Sequence, residues 1–536
     1  MKKLMLAAVV CLLVTTSCNQ VAGWFGTEED SLSTEFNHAA FSRDESITAA
    51  NAYSDLFLDS TAIEKYINQQ KLDDSSAQKI RNFYLVRNYQ FAWFASNGLT
   101  EHGKNIWSLQ SGDSAAANEK IQERMDSLLM NDSAQVNADD SVYQNTELEL
   151  TSEFIDYANK SHGFINASNM YYMVPAKKVD AMVLADSLLN RNKDSALLSS
   201  NNTYSLLKQH LTHYYNAEKN GGWQPIPTGT AIQKGKSSPA VALLKKRLAA
   251  TNDYHAGDTS SVYSDSLETA IINFQKRNGL APDGTINDSL ISILNVPAKE
   301  RVQQILVNMN RAMWMQPISD SNRIVVNIPG YMLYAYSDSG KTLEMPVIVG
   351  KEGASTVIFN SEINQVVFNP TWNIPQRIVR DEIMPKMKTD NNYLEKRNME
   401  IVNGDDSIPQ IRQLPGKDNV MGRVKFLFPN TYDIYLHDTP EKSLFAKKER
   451  DLSHGCIRVQ DPVALAEFIL GKQNNDWSRE KILSSMEGSE EQTVKLNDPV
   501  SVYITYNTAW VDENGQLNFR NDVYGLDKGT VSRMFL

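Results

Sequence analysis

By type and spacing, the residues best suited to chemistry are Cys456 and His437. Cys456 lies inside Ser453-His454-Gly455-Cys456-Ile457-Arg458-Val459, and His437 stands 19 positions earlier. The chain has three cysteines, and Cys11 and Cys18 both belong to an N-terminal apolar run, so the remainder carries a single thiol. A free thiol is only a few per cent thiolate near neutral pH, so a nucleophilic cysteine needs a base or a positive neighbour. Three sources are at hand. His437 closes the strand-like run 433–437 and would reach Cys456 if a hairpin-like connection folds back. His454 is two residues away, and Gly455 lets that loop bend. A helix opening at Asp461-Pro462 would turn its N-terminal amides toward the thiol and lower its pKa. The blander reading, a small buried hydrophobe, fits most free cysteines but poorly suits one flanked by two histidines and an arginine. Zinc held by His437, Asp438, His454 and Cys456 would lack the clustered ligands of a structural site. No metal or other cofactor is expected.

Length and composition bound the setting. The 536 residues suggest three or four domains, and 41% hydrophobic content supplies ample cores. A formal net charge of −11 argues against nucleic acid and against anionic lipid surfaces. Residues 1–18 open with Lys2-Lys3, run through an apolar core and end Thr15-Thr16-Ser17-Cys18, the layout of a secretory signal. That core is too short for a transmembrane helix of about 20 residues. Cys18 after small residues resembles a bacterial lipobox, with Thr15 where Leu is usual. The resemblance implies a diacylated Cys18 as mature N-terminus, and Asn19 in place of Asp points to the inner leaflet of the outer membrane. The expected setting is therefore periplasmic and lipid-anchored, where one mature-domain thiol avoids mispairing.

Residues 19–45 read as a flexible tether with a mean reach of roughly 25–30 Å. Residues 46–225 have helical periodicity, and Asn220–Thr230 carries the Gly and Pro of a linker. Residues 231–296 form a compact helical unit. Pro239, Val241, Leu244 and Leu248 mark its first helix. Asp265 with Glu268 suggests a capping box for the second, followed by Leu267, Ala270, Ile271 and Phe274. Residues 289–294 make a short third helix. An amphipathic helix over 299–316 precedes strand-like runs at 324–328, 331–336, 345–349, 364–368, 424–428, 433–437, 500–506 and 517–519. These suggest a β-sandwich or open barrel. A polar, partly helical insertion at about 376–422 could act as a lid.

Two resemblances follow from these residues. Gly235, Pro239-Ala240-Val241, Leu244, Leu248, Phe274-Gln275, Gly279-Leu280, Asp283-Gly284 and Leu294-Asn295 resemble a peptidoglycan-binding module. The stretches 368–375, 415–426, 434–440 and 453–459 resemble the L,D-transpeptidase catalytic domain. With the helical region around Phe83-Tyr84, Arg87, Tyr89 and Trp93, the order is that of the large three-part L,D-transpeptidases. The implied fold is multidomain α+β. It comprises a helical scaffold (46–225), a three-helix peptidoglycan-binding module (231–296) and a β-rich catalytic domain (323–530).

The resemblance also implies chemistry. Cys456 would attack a tetrapeptide stem to give a thioester, with His437 as base and then acid, and a diamino-acid amine on a second stem would accept the acyl group in a 3→3 cross-link. His454 and Gly455 would shape the loop and its oxyanion hole, and a backbone carbonyl such as that of Asp438 would orient His437. Arg458 would meet a substrate carboxylate, while Tyr435 and Trp372 would line the donor site. Inhibition by carbapenems is implied too. Alternatives are an L,D-carboxypeptidase or protein attachment through the same acyl-enzyme, and a non-catalytic wall-binding scaffold.

Overall fold

The computed structural model describes residues 41–110, 125, 128, 135–162, 173–190, 201–229, 232–255, 257–314, 321–403, 407–471, 473 and 477–536. The signal segment, Cys18 and most of the tether lie outside the described residues. Among the described residues no helix is long and apolar enough to cross a membrane. The chain divides into two compact units, one of residues 41–106, 133–318 and 507–536, the other of 107–132 and 319–506.

The first unit is mainly helical. Its helices start where short polar side chains satisfy free N–H groups: Asp59 caps Ser60–Gln70, Asp73 caps Asp74–Val86, and Asp180 caps Ala181–Leu189. Helices Pro239–Ala249, Asp265–Arg277 and Asp288–Leu294 bury one apolar face each, with Val241, Leu244, Leu248, Leu267, Phe274, Leu290 and Leu294 in a single cluster. The cap of the second of these is Ser264, one residue earlier than the sequence suggested. Its side chain accepts from Leu267 N, while Glu268 pairs with Lys234 instead of reaching back. Gly279, at φ +70°, then turns the chain out of that helix.

The C-terminal residues also belong to this unit. The sequence reading ran the catalytic domain to 530, but the compact unit that holds Cys456 closes at Tyr506. The cause is a buried polar network. Arg311, on helix Ala298–Trp314, pairs with Glu101 and with Asp527 (2.5 Å), and Thr508 Oγ1 donates to Asp527 Oδ2 at 2.6 Å.

The second unit is built on a mixed nine-stranded sheet. In chain order its strands are β1 (Arg323–Asn327), β2 (Met332–Ser337), β3 (Gly340–Gly350), β4 (Phe359–Phe368), β8 (Val424–Leu427), β9 (Leu436–His437), β10 (Asp451–Ser453), β11 (Ile457–Val459) and β12 (Gln492–Thr505). Their spatial order is β10-β3-β11-β9-β8-β4-β12-β1-β2, and β2 pairs again with β3. That last pairing closes eight strands on themselves, and β10 hangs on the far end of β3. Closure leaves few free edges, and the apolar residues of alternate positions, including Ile324, Val347, Ile363, Phe426 and Val502, are fully buried.

The insertion has its own architecture. β5 (Trp372–Asn373), β6 (Met399–Asn403) and β7 (Gln410–Gln413) form a three-stranded sheet in the order β5-β7-β6. Helical turns between Gln376 and Lys396 pack on it, one of them a π-helical stretch, Val379–Ile383. Trp372, Ile374, Val379, Ile383, Ile411 and Met421 make its small core.

Candidate active site

His437 owes its place to strand pairing. β9 pairs antiparallel with β8, setting Lys425 opposite His437, and parallel with β11, setting Arg458 opposite His437 and Ile457 opposite Leu436. The expected hairpin-like return is therefore a parallel crossover. Facing residues in neighbouring strands point to the same side, and side chains alternate along each strand. Cys456, two residues before Arg458, thus shares the face of Tyr435, His437, Arg458 and Lys425. The bond from Ile457 N to Tyr435 O, 3.0 Å, fixes that register.

The approach to β9 is shorter than the run 433–437 suggested. Asn430 is the reason. Its Oδ1 accepts from Tyr432 N and Ile434 N, and its Nδ2 donates to Ile434 O, holding a turn through Asp433, which sits at φ +53°. Only Leu436 and His437 remain for the ladder.

The ring of His437 is buried, and its Nδ1 lies 2.5 Å from the carbonyl oxygen of Asp438. A carbonyl can only accept, so Nδ1 carries the proton and Nε2 is left with its lone pair. Burial pushes the His437 pKa down to about 3, helped by the charges of Arg458, Lys425 and Lys442 against the pull of the Asp438 carbonyl. The ring is therefore a neutral base at physiological pH.

Asp438 is in turn clamped. Its Oδ2 accepts from Arg423 N at 2.8 Å, its Oδ1 pairs with Lys442 Nζ at 2.7 Å, and its N donates to Val424 O. Gly422, at φ +61°, sits against that carboxylate so closely that any Cβ there would overlap it. Gly422 and Lys425 lie in the 415–426 stretch that resembles the catalytic domain, but nothing local to it sets them beside His437. Their partners are 12 to 16 residues away in the chain, across a strand connection.

The thiol is unactivated in this state. Sγ of Cys456 donates to the carbonyl of Asp433 at 3.4 Å. Burial pushes its pKa up to about 11, against the opposing influence of Tyr435 and Arg458. This corrects the expectation of a thiol lowered by the following helix. That helix, Pro462–Leu470, starts six residues beyond the thiol, and Asp461 Oδ1 already accepts from Ala464 N in its first turn.

The loop carrying the thiol is locked from both sides. Ser453 Oγ accepts from Gly455 N (3.2 Å) and donates to Cys456 O (2.6 Å). Thr356 Oγ1 donates to Gly455 O and accepts from Gly350 N, both at 2.8 Å. Gly455 is at φ +118°, and a Cβ there would meet only ordinary contacts, Ala354 O at 3.9 Å and Ser355 O at 4.0 Å, so conformation and not crowding demands glycine.

His454 points elsewhere: its Nε2 meets Glu382 Oε1, on the π-helical stretch of the insertion, at 2.8 Å. Tyr435 is half-buried next to Cys456, its ring 5.8 Å from that of His437, and it packs on the insertion's core. Trp372 is 9% exposed and belongs to that core. Arg458 Nη1 pairs with Glu441 Oε2 at 2.5 Å. Among the described residues no group of three or more His, Cys, Asp or Glu side chains could hold a metal ion.

Comparison with known proteins agrees with this layout. Residues 321–502 match the L,D-transpeptidase catalytic domain, 78–211 a scaffold domain, and 237–294 the family described as "Putative peptidoglycan binding domain". The three matches follow one another along the chain in the order scaffold domain, peptidoglycan-binding domain, L,D-transpeptidase catalytic domain. A protein of Haemophilus influenzae named "Putative L,D-transpeptidase" is 35% identical over 243 residues, covering 42% of this chain and 48% of the relative. The chain thus spans about half the length of that curated relative. Among solved structures, an L,D-transpeptidase from Mycobacterium smegmatis has 12% identity and a TM-score of 0.20, over 34% of this chain and 58% of that one. L,D-transpeptidase 3 from Mycobacterium tuberculosis, in complex with a faropenem-derived adduct, has 14% identity and a TM-score of 0.18, over 34% and 60%.

Proposed function

We propose that the protein joins peptidoglycan stem peptides through a thioester on Cys456. The observation that supports this most is the parallel pairing of β9 with β11. It sets a neutral His437, its Nδ1 engaged by Asp438, on the same face as the thiol. As a carbonyl carbon of the donor tetrapeptide approaches, Sγ gives its proton to His437 Nε2 and bonds to that carbon. The tetrahedral oxyanion is met by N–H groups of the 454–456 loop. Its collapse breaks the bond to the terminal D-alanine, whose nitrogen takes the proton from His437. The side-chain amine of a second stem then attacks the thioester, loses a proton to His437, and releases the thiol with a 3→3 cross-link formed.

A resting dyad in which both partners are neutral suits this sequence, because the proton moves only when an electrophile is present. Incubation with purified disaccharide-tetrapeptide, followed by mass analysis, is the test. Cross-linked dimer with equimolar free D-alanine is expected. Tripeptide and D-alanine alone would replace the transpeptidase by a carboxypeptidase, and no D-alanine at all would overturn the reading. Acylation of Cys456 by a carbapenem is expected on the same grounds.

The setting is proposed from the N-terminal sequence: acylation of Cys18 anchoring the enzyme at the inner leaflet of the outer membrane. A Cys18→Ala chain should leave the membrane fraction, and unchanged membrane association would refute the anchor.

A further inference from the structure

Arg458 stands one register step from the thiol on the His437 face, yet it is paired in a lopsided way. Among the described residues only Nη1 meets an anion, Glu441 Oε2. Its Nε is buried without a hydrogen-bond partner among the described residues. The Arg458 side chain is 12% exposed, whereas that of Glu441 is 59% exposed. An arginine pairs best with a carboxylate through two parallel N–H bonds. A single-pronged contact from a solvent-washed glutamate leaves that capacity largely unused.

The backbone that offers Glu441 is firmly held. Lys442 Nζ forms an ion pair with Asp438 Oδ1 (2.7 Å) and donates to Gln460 O (2.9 Å), and Glu441 N donates to Thr439 Oγ1. The carboxylate is therefore delivered to Arg458 by a fixed turn, while its own side chain is free to swing into water.

We infer that Glu441 is an internal stand-in for the C-terminal carboxylate of the donor peptide, released from Arg458 when that carboxylate binds. The inference rests on the proposed transpeptidase reading. The geometry fits it: residues i and i+2 of a strand are roughly 6.6 Å apart. A terminal carboxylate lies about one residue, roughly 3.8 Å, beyond the carbonyl under attack, with the sulfur-to-carbon gap making up the rest. Glu441 would then set specificity as well as affinity, because only a ligand that supplies a better-placed anion can displace it.

The test is steady-state release of the terminal residue from two donors, a disaccharide-tetrapeptide with a free C-terminal carboxylate and the same compound amidated there. Glu441→Gln should lower KM for the free acid roughly two- to five-fold, the worth of an exposed ion pair. It should not lower KM for the amide. In an Arg458→Gln background the Glu441→Gln effect should vanish. An unchanged or raised KM, an equal fall for both donors, or a gain that persists without Arg458 would each overturn the stand-in. If the wild-type chain releases D-alanine from neither donor, the transpeptidase reading itself falls, and this inference with it.

Discussion

Both units bury charge, but they balance it differently. Around Arg311, every cation has its anion: Glu101 and Asp527 flank the guanidinium, and Thr508 and Thr530 satisfy the carboxylates further. Burial alone would raise the Glu101 pKa, yet Arg311 keeps it lowered; at Asp527 burial prevails over the same arginine and the pKa is raised. Around His437 the balance is only partly made: Lys442 pairs with Asp438 and Arg458 with Glu441, while Lys425 has no ion pair among the described residues. Lys425, Arg458 and Lys442 all act on one uncharged ring, and Arg458 keeps an unpartnered Nε. A reciprocated network holds elements together, whereas an unreciprocated one is poised to receive something. Buried charge by itself says little about function, and its incomplete pairing says more.

The sharpest break of that comparison is to remove one group from each region. Cys456→Ala should lower turnover by about 10⁴-fold or more while the melting temperature stays where it was. Arg311→Ala should do the reverse. It leaves Glu101 and Asp527 buried without their cation, which costs about 3–5 kcal/mol of stability, and below its lowered melting point the thiol should still be acylated. Calorimetry together with carbapenem labelling checks both. A large loss of stability in Cys456→Ala, or none in Arg311→Ala, would remove the distinction.

How much of this was legible in the chain differs between the two regions for the same reason. Cys456, His437 and the support of Asp438 could be read because they lie in short, distinctive runs. Helices of the peptidoglycan-binding module could be read from the 3.6 spacing of Val241, Leu244 and Leu248 or Ala270, Ile271 and Phe274. The parallel crossover of β9 and β11 could not, since pairing between strands leaves no local trace. β12 begins at Gln492, eight residues before the apolar run at Val500, because a bulge between Lys495 and Val500 accommodates Pro499 inside the strand. Glu382 and Glu441 looked like ordinary surface acids. Their partners, His454 and Arg458, sit 72 and 17 residues away. The 507–536 segment had a strand-like run at 517–519, but nothing in it says which unit its buried face will join.

A finer cut falls within the catalytic face. Gly422→Ala faces two penalties: a left-handed backbone that costs an L-residue about 1–2 kcal/mol, and overlap with the Asp438 carboxylate. Moving Asp438 moves the carbonyl that holds His437 Nδ1. A displacement on the order of 1 Å there should cost about 10²-fold in kcat. Gly340→Ala is the control, since its φ is +96° but a Cβ there meets open space. It should show the strain without the catalytic loss. Equal kcat in the two variants would mean that Asp438 does not position the base.

The smallest effect tests the electrostatics directly. Lys425 faces His437 from β8, and its charge disfavours a charge on the ring, while burial lowers the pKa of Lys425 itself. A group whose folded pKa is depressed stays neutral until the pH falls to that value. With His437 near 3, the base should remain available well below pH 6.5, where an ordinary histidine would already be protonated. The acid limb of kcat/KM should therefore lie below the usual histidine value. Lys425→Met removes one positive neighbour, so the imidazolium becomes less costly and the limb should move up by about one pH unit, with kcat near pH 8 little changed. The same sign governs stability. Between the folded and unfolded pKa the unfolded chain binds the extra proton, so stability falls as pH drops below about 6.5, and Lys425→Met should soften that fall. An acid limb that stays in place would mean that burial alone, and not the bracket of cations across the sheet, keeps His437 a base.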